Sequence, residues 1–557
     1  MTEDSNAVRS PILDVLVEYW QYSADRPPGI IEEATAGYEA SFKGCVLDII
    51  HWSEGLFGFV AELDPLLEAF APKIAEMEAK QEASSFNGDL GLSNLQKAYC
   101  KGLSPNSVIE DILTRIEKYS KIDPAVWIHR VPKESLVQRV NELEARWPDP
   151  CHRPPLFGVP FGVKDNMDIA GLPTTTACPP LTRVPSQTAR VCEIILSQGG
   201  ILVGKTNMDQ LATGLTGCRS PFGIPRSVFH HDYIAGGSSS GSCVTVGAGL
   251  VSFALGTDTG GSGRVPAGFN GVVGYKPTKG LISTQGVTAA CMSLDSIAII
   301  ANNVQDARTV WDLSMAYDEA DAYARISAPM QRHINSIGPQ ATSFRFGVPP
   351  PETLGICSPD YRRLFDEAVQ ALKGLGGQVC QIDRTPFEKA GKLLYERTFV
   401  CERLANLPDD WLDRHLSVLH PVTESIFSKA LSSGRSAVDA FRDLQSQALY
   451  TRQVEKIFEY TATGVDVVVV PTAPIHWTVD EVLKDPIATN SALGEFSYCA
   501  NIVDLCAIAV PAGFYNAESL GDADVRLPFS VTFLGGTRMD AELLQIADRY
   551  FHAIKSN

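Results

Sequence analysis

The stretch GGSSSGSCVTVGAGLVSFALGTDTGGSGRVPAGFNGVVGYKP, Gly236 to Pro277, decides how this chain is read. Its centre, GTDTGGSGRVPAG, holds five glycines and one serine, Ser262. Glycine at this density weakens regular structure, and close approach of backbone to a ligand is one thing that offsets the loss. A second serine cluster, Ser238 to Ser240, precedes it across a run of small residues able to pass close to other backbone. Upstream, FGVPFGVKDN sets Lys164 at the end of an apolar, strand-like run, just before Asp165. Alone, the Gly/Ser stretch reads as a loop and the lysine as a surface ion-pair partner. Together they supply a hydroxyl and an amine that could serve as its base.

A serine hydroxyl is a weak nucleophile until a base takes its proton, and a lysine can do so only when held neutral. Burial must lower its pKa from about 10.4 by roughly 3, worth about 4 kcal/mol against the charged form. An oxyanion, in turn, needs several N–H groups aimed at one point, and glycines clear the approach.

Two other glycine-rich signals carry less. GGILVGKT, Gly199 to Thr206, satisfies the P-loop pattern, but Ile201, Leu202 and Val203 fill the loop positions and read as the strand itself. GSSSG, Gly237 to Gly241, nominates Ser239 as an α/β-hydrolase nucleophile, yet FHHDYIAG before it is no apolar strand.

The 557 residues, 45% hydrophobic and 20% charged, fit an ordinary globular protein large enough for a catalytic domain and a smaller companion. A net charge of −18 argues against nucleic-acid or anionic-lipid partners. The start MTEDSNAVRS does not resemble a signal peptide and no run is apolar enough to span a membrane, so a cytoplasmic location is expected. Thirteen cysteines without CxxC pairs or metal-ligand spacing read as small buried hydrophobes, and no metal or cofactor is expected.

Residues 1–91 are expected to form a separate helical extension, with a helix in DPLLEAFAPKIAEMEAK and a linker in EASSFNGDLG. An α/β texture follows. The apolar spacing predicts a helix over Pro105 to Tyr119, with Ile109, Ile112, Ile116 and Tyr119 on one face. ILVGKT, FRFGV and VDVVVVPTAP read as strands covered on both faces.

GGSSSG followed by GTDTGGSxRxP, with a GVPFGVKD-type lysine segment upstream, resembles the amidase signature family over residues 92–557. The resemblance implies an α/β/α domain around a mostly parallel, twisted mixed sheet, and amide hydrolysis by a Ser, cis-Ser, Lys triad. It makes Ser262 the nucleophile, Ser238 the bridging serine and Lys164 the base. It places the oxyanion hole at the N–H groups of Thr259, Gly260, Gly261 and Ser262. Asp258 and Arg264 are expected to clamp this loop.

Within the family the chain is most similar to allophanate hydrolases, on segments such as TNMDQLATGLTG, HPVT and NIVDLCAIAVPAGF. Gly263 stands where most members carry a branched aliphatic residue, read here as a sign of a small substrate. In YERTFVCER, Tyr395 and Arg403 match the pair that holds the substrate carboxylate, and Gly214 is expected to contact the substrate's amide end. By residue type alone, Arg403 beside Glu402 would be a surface ion pair. A small amide or carbamate substrate is implied, allophanate first, with an uncharged urethane or amide as the alternative. Met292, where a polar residue is usual, favours that alternative. ELLQIADRYFHAIK reads as the last helix, so the second domain common in allophanate hydrolases is not expected. Residues 1–91 are expected to mediate a homodimer or higher homo-oligomer.

Overall fold

Lys164 and Thr257 end up side by side because the strands that carry them are neighbours in one sheet. In this computed structural model, which describes residue 86 and residues 88–326, 343–459, 463–517 and 522–555, the sheet has eleven strands. They are β1 (Trp127–Arg130), β2 (Pro160–Lys164), β3 (Ile201–Thr206), β4 (Phe253–Asp258), β5 (Val273–Lys276), β6 (Ser296–Ala301), β7 (Phe344–Val348), β8 (Gly377–Gln381), β9 (Val467–Pro471), β10 (Cys506–Ala517) and β11 (Asp522–Gly535). Their order is β1-β3-β2-β4-β6-β5-β10-β11-β9-β7-β8.

The sheet is mixed, as expected, but its balance is not. Of its ten pairings β2 is parallel to β3 and β4, and β7 to β8 and β9, while the other six are antiparallel. The expectation of a mostly parallel sheet is corrected accordingly. A strand buried on both faces reads as a continuous apolar run in either direction, so VVVV of β9, antiparallel to β11 and parallel to β7, carries no sign of which.

The helix Pro105–Tyr119 has the predicted bounds: Ser104 caps it, accepting from the Asn106 N–H, and Pro105 opens its first turn. Val108, Ile109, Ile112 and Ile116 are buried, each contributing about 1.5–3 kcal/mol by leaving water. Tyr119 packs instead beside Val126, Ala235 and Val244. The final helix runs Asp540–Lys555. The helix expected at 64–80 lies outside the described residues.

Parallel pairing of β2 and β4, with Phe161 opposite Phe253 and their rings stacked at 5.4 Å, brings the ends of both strands to one edge. The helix Ser240–Gly247 begins there and is buried almost throughout. A Cβ on Gly241 would sit 2.4 Å from the Val126 carbonyl and 2.6 Å from the Asn207 nitrogen, so only glycine admits this approach. Among the described residues no helix is long and apolar enough to cross a membrane.

Candidate active site

At the C-terminal end of β2 the Lys164 Nζ donates to Ser238 Oγ at 2.7 Å and to Thr257 Oγ1 at 2.8 Å. Ser238 follows a cis peptide bond from Gly237. Both Lys164 and Ser238 are wholly buried. Burial pulls the Lys164 pKa down to about 7, while Asp209, Asp295 and Asp258 act in the opposite direction. Ser262 lies just beyond β4, its hydroxyl 3.5 Å from the Gly214 carbonyl and its own carbonyl accepting from the Ser239 N–H at 3.1 Å.

The loop between Asp258 and Arg264 is shaped by one carboxylate. Asp258 accepts from the Gly261 N–H (2.7 Å), the Gly263 N–H (3.2 Å), and Arg264 Nε and Nη2 (2.9 Å each). Burial pushes this carboxyl up, but the Arg264 guanidinium, Lys276 and the Gly261 N–H together hold the group below its usual range. Asp258 and Arg264 therefore clamp the loop, as expected.

That clamp corrects one oxyanion-hole assignment. The Gly261 N–H is already taken by Asp258, with Gly261 at φ +120°, and points into the loop. The N–H groups of Thr259, Gly260 and Ser262 meet no acceptor among the described residues, leaving three adjacent donors.

The reading of Gly263 is corrected too. A Cβ there would come within 2.4 Å of the Ala298 methyl on β6. Packing against the sheet requires glycine at this position, so it carries no information on substrate size.

Arg403 is no surface ion pair. It sits on the helix Phe399–Ala405, 4% exposed, and donates to the Ala212 carbonyl (3.3 Å), Thr213 Oγ1 (3.2 Å) and the Tyr395 hydroxyl (3.2 Å). Its hydrogen bonds all go to uncharged oxygens, and its buried Nε has no partner among the described residues. Neighbouring Glu402 turns instead to Ser293, accepting from its N–H and hydroxyl. A buried, unpaired cation is costly unless an anion arrives to match it. Residues 212–214 thus touch Arg403 at one end and Ser262 at the other. Met292 is 48% exposed.

Four groups went unnoticed in the sequence. Thr257 shares the lysine with Ser238. Asp209 accepts from the Gly217 and Arg219 N–H groups beneath the serine cluster. Asp295, whose carboxyl burial raises to about 6, accepts from Thr259 Oγ1 and from the Ala290 and Cys291 N–H groups. Tyr498 packs its ring 5.4 Å from that of Tyr395. Of these only Thr257 sits in a segment the motif marks.

The two other glycine signals resolve as structure. Ile201–Thr206 is strand β3, and Lys205 is buried against Asp165 at 3.1 Å. Ser239 donates to the Thr257 carbonyl at 3.1 Å.

The amidase family model matches residues 108–544. The chain belongs to the amidase family. This amidase-signature hydrolase is 38% identical over 441 residues to the urea amidolyase of Saccharomyces cerevisiae, a match covering 77% of this chain and 22% of that one. It is 37% identical to the urea amidolyase of Lachancea kluyveri, over 79% of this chain and 23% of the other. Among solved structures, Kluyveromyces lactis allophanate hydrolase superposes with a TM-score of 0.74 at 34% identity, over 84% of this chain and 73% of that one. The chain spans less than a quarter of the length of the urea amidolyases it matches.

Proposed function

We propose that this amidase hydrolyses allophanate, a small urea-derived amide with a carboxylate at one end, and releases ammonia. The observation that carries the reading is Arg403: a buried guanidinium that makes no ion pair among the described residues, joined to Tyr395 and resting on the loop that also meets Ser262. Arg403 and Tyr395 would grip the carboxylate, which points the far amide carbonyl at Ser262.

Neutral Lys164 takes the Ser238 proton as Ser238 takes that of Ser262, so the Lys164–Ser238 contact carries the proton away from the attacking oxygen. Ser262 Oγ adds to the amide carbonyl, and the oxyanion faces the N–H groups of Thr259, Gly260 and Ser262. The carbon–nitrogen bond breaks, the relay returns its proton to the leaving nitrogen, and ammonia departs. Water attacks the acyl-enzyme by the same relay, regenerating the Ser262 hydroxyl and releasing N-carboxycarbamate.

The test is ammonia release from allophanate, biuret, ethyl carbamate and acetamide. The reading expects allophanate to have the highest kcat/KM by at least tenfold. A higher value for ethyl carbamate or acetamide would replace it with the urethanase or broad-amidase alternative, which leaves Arg403 without an anion.

A further inference from the structure

The helix Phe399–Ala405 is gripped on two sides. Arg403 leaves it towards residues 212–214. Glu402 leaves it on another side, since neighbouring residues of a helix do not face the same way. There it meets the turn 290–295. Its Oε1 accepts from the Ser293 N–H at 2.7 Å and its Oε2 from the Ser293 hydroxyl at 2.6 Å. The Cys291 thiol lies 3.3 Å from that second oxygen and 3.3 Å from the Phe399 carbonyl, while Asn406 donates to the Ala290 carbonyl at 3.2 Å. Phe399, Glu402 and Asn406 follow steps of three and four residues, so one flank of the helix lies along the turn. Of these contacts the two on the Glu402 carboxylate are the shortest, and charge makes such bonds about twice as strong as neutral ones.

The other end of the turn is fastened to the loop that carries Ser262. Asp295 accepts from Thr259 Oγ1, and Asn501 Nδ2 donates both to the Leu294 carbonyl (3.1 Å) and to that of Asp258 (2.6 Å). Lys279 holds the Ser293 carbonyl. The turn thus keeps its place on the 258–264 loop without Glu402, whereas the helix is tied to the turn chiefly by Glu402.

We propose that Glu402 is a positioning residue, which sets where Arg403 stands relative to the N–H groups of Thr259, Gly260 and Ser262. The inference rests on the reading of Arg403 as the anion site. A guanidinium that binds an anion aims the rest of the substrate only if it is itself held, and a misplacement of about 1 Å costs on the order of a hundredfold in rate. Without Glu402 the anion would still bind, but its amide carbonyl would stand away from Ser262. Binding at the remote end would no longer be converted into orientation, a defect of kcat and not of KM. An amide that carries no anion would not feel the change.

The test is ammonia release by the full chain from allophanate and acetamide in Glu402→Ala, Glu402→Gln and Arg403→Ala. Glu402→Ala is expected to lower kcat for allophanate about 10–100-fold, with its KM and the acetamide kcat each within about threefold of wild type. The carboxamide of Glu402→Gln can accept from the Ser293 N–H and donate to its hydroxyl, so this variant is expected to keep most of the wild-type kcat. An unchanged allophanate kcat in Glu402→Ala, an equal loss on acetamide, or a Glu402→Gln variant as impaired as the alanine one overturns the positioning role. Arg403→Ala separates this from failure of the anion site: equal losses on both substrates there overturn that site, and the role of Glu402 with it.

Discussion

Lys164 Nζ and Ser238 Oγ stand 2.7 Å apart at a point where neither side chain reaches solvent. Burial, only partly offset by Asp209, Asp295 and Asp258, moves the amine's pKa from 10.5 to about 7. Protonated Lys164 cannot accept from Ser238, so with Lys164 as the proposed base activity is expected to be lost as pH falls through that value. The expected kcat profile for ammonia release is flat above about pH 8 and falls tenfold per unit below about pH 6. A flat profile down to pH 5 would remove Lys164 as the base.

Asp295 faces this lysine and raises its pKa, while also accepting from Thr259 in the oxyanion loop. In Asp295→Asn the anion is gone, so the acid limb is expected to move to lower pH, and kcat to fall about tenfold as Thr259 loses its carboxylate. An unchanged limb would show that the two groups do not communicate.

The two serines should separate by degree. Ser262→Ala removes the proposed nucleophile and is expected to leave no acyl-enzyme detectable by mass spectrometry. Ser238→Ala keeps the nucleophile but interrupts the relay, for which a loss of about 10²–10⁴ in kcat is expected.

Arg403→Ala is expected to raise KM for allophanate about 10–100-fold, the worth of a charge-assisted hydrogen bond, with little change for acetamide. Equal losses on both substrates would make Arg403 a support for the 212–214 loop rather than a carboxylate clamp.

Gly263→Ala should lower stability by about 1–3 kcal/mol through overpacking against Ala298, and Ala298→Gly in the same chain should restore it. Thermal unfolding of the two singles and the double measures the coupling.

What could be read in advance follows from how local the signal is. The Pro105–Tyr119 helix was legible to its ends because cap, proline and apolar spacing all lie within its own residues. That Lys164 and Ser238 would meet was legible because their segments form a recognisable motif. Strand direction was not, since it depends on partners that lie outside the strand's own segment, such as β5 and β10, whose paired residues Lys276 and Ala507 are far apart in the chain. Nor was the state of the Gly261 N–H, which turns on where the Asp258 carboxylate points. The Gly263–Ala298 contact joins the turn after β4 to strand β6, which sequence spacing does not relate. Asp209 and Asp295 act through space on Lys164, and nothing in TNMDQ or SLDS announces it.

The 212–214 loop has a consequence of its own. Ala212 and Thr213 hold the guanidinium, and the Gly214 carbonyl meets the Ser262 hydroxyl, all within a buried backbone run of three residues. Such a loop works as a ruler. With Arg403 as the proposed anion site and Ser262 as the proposed nucleophile, it would fix the span between the anion and the attacked carbon, so chain length, and not charge alone, would decide which amides turn over.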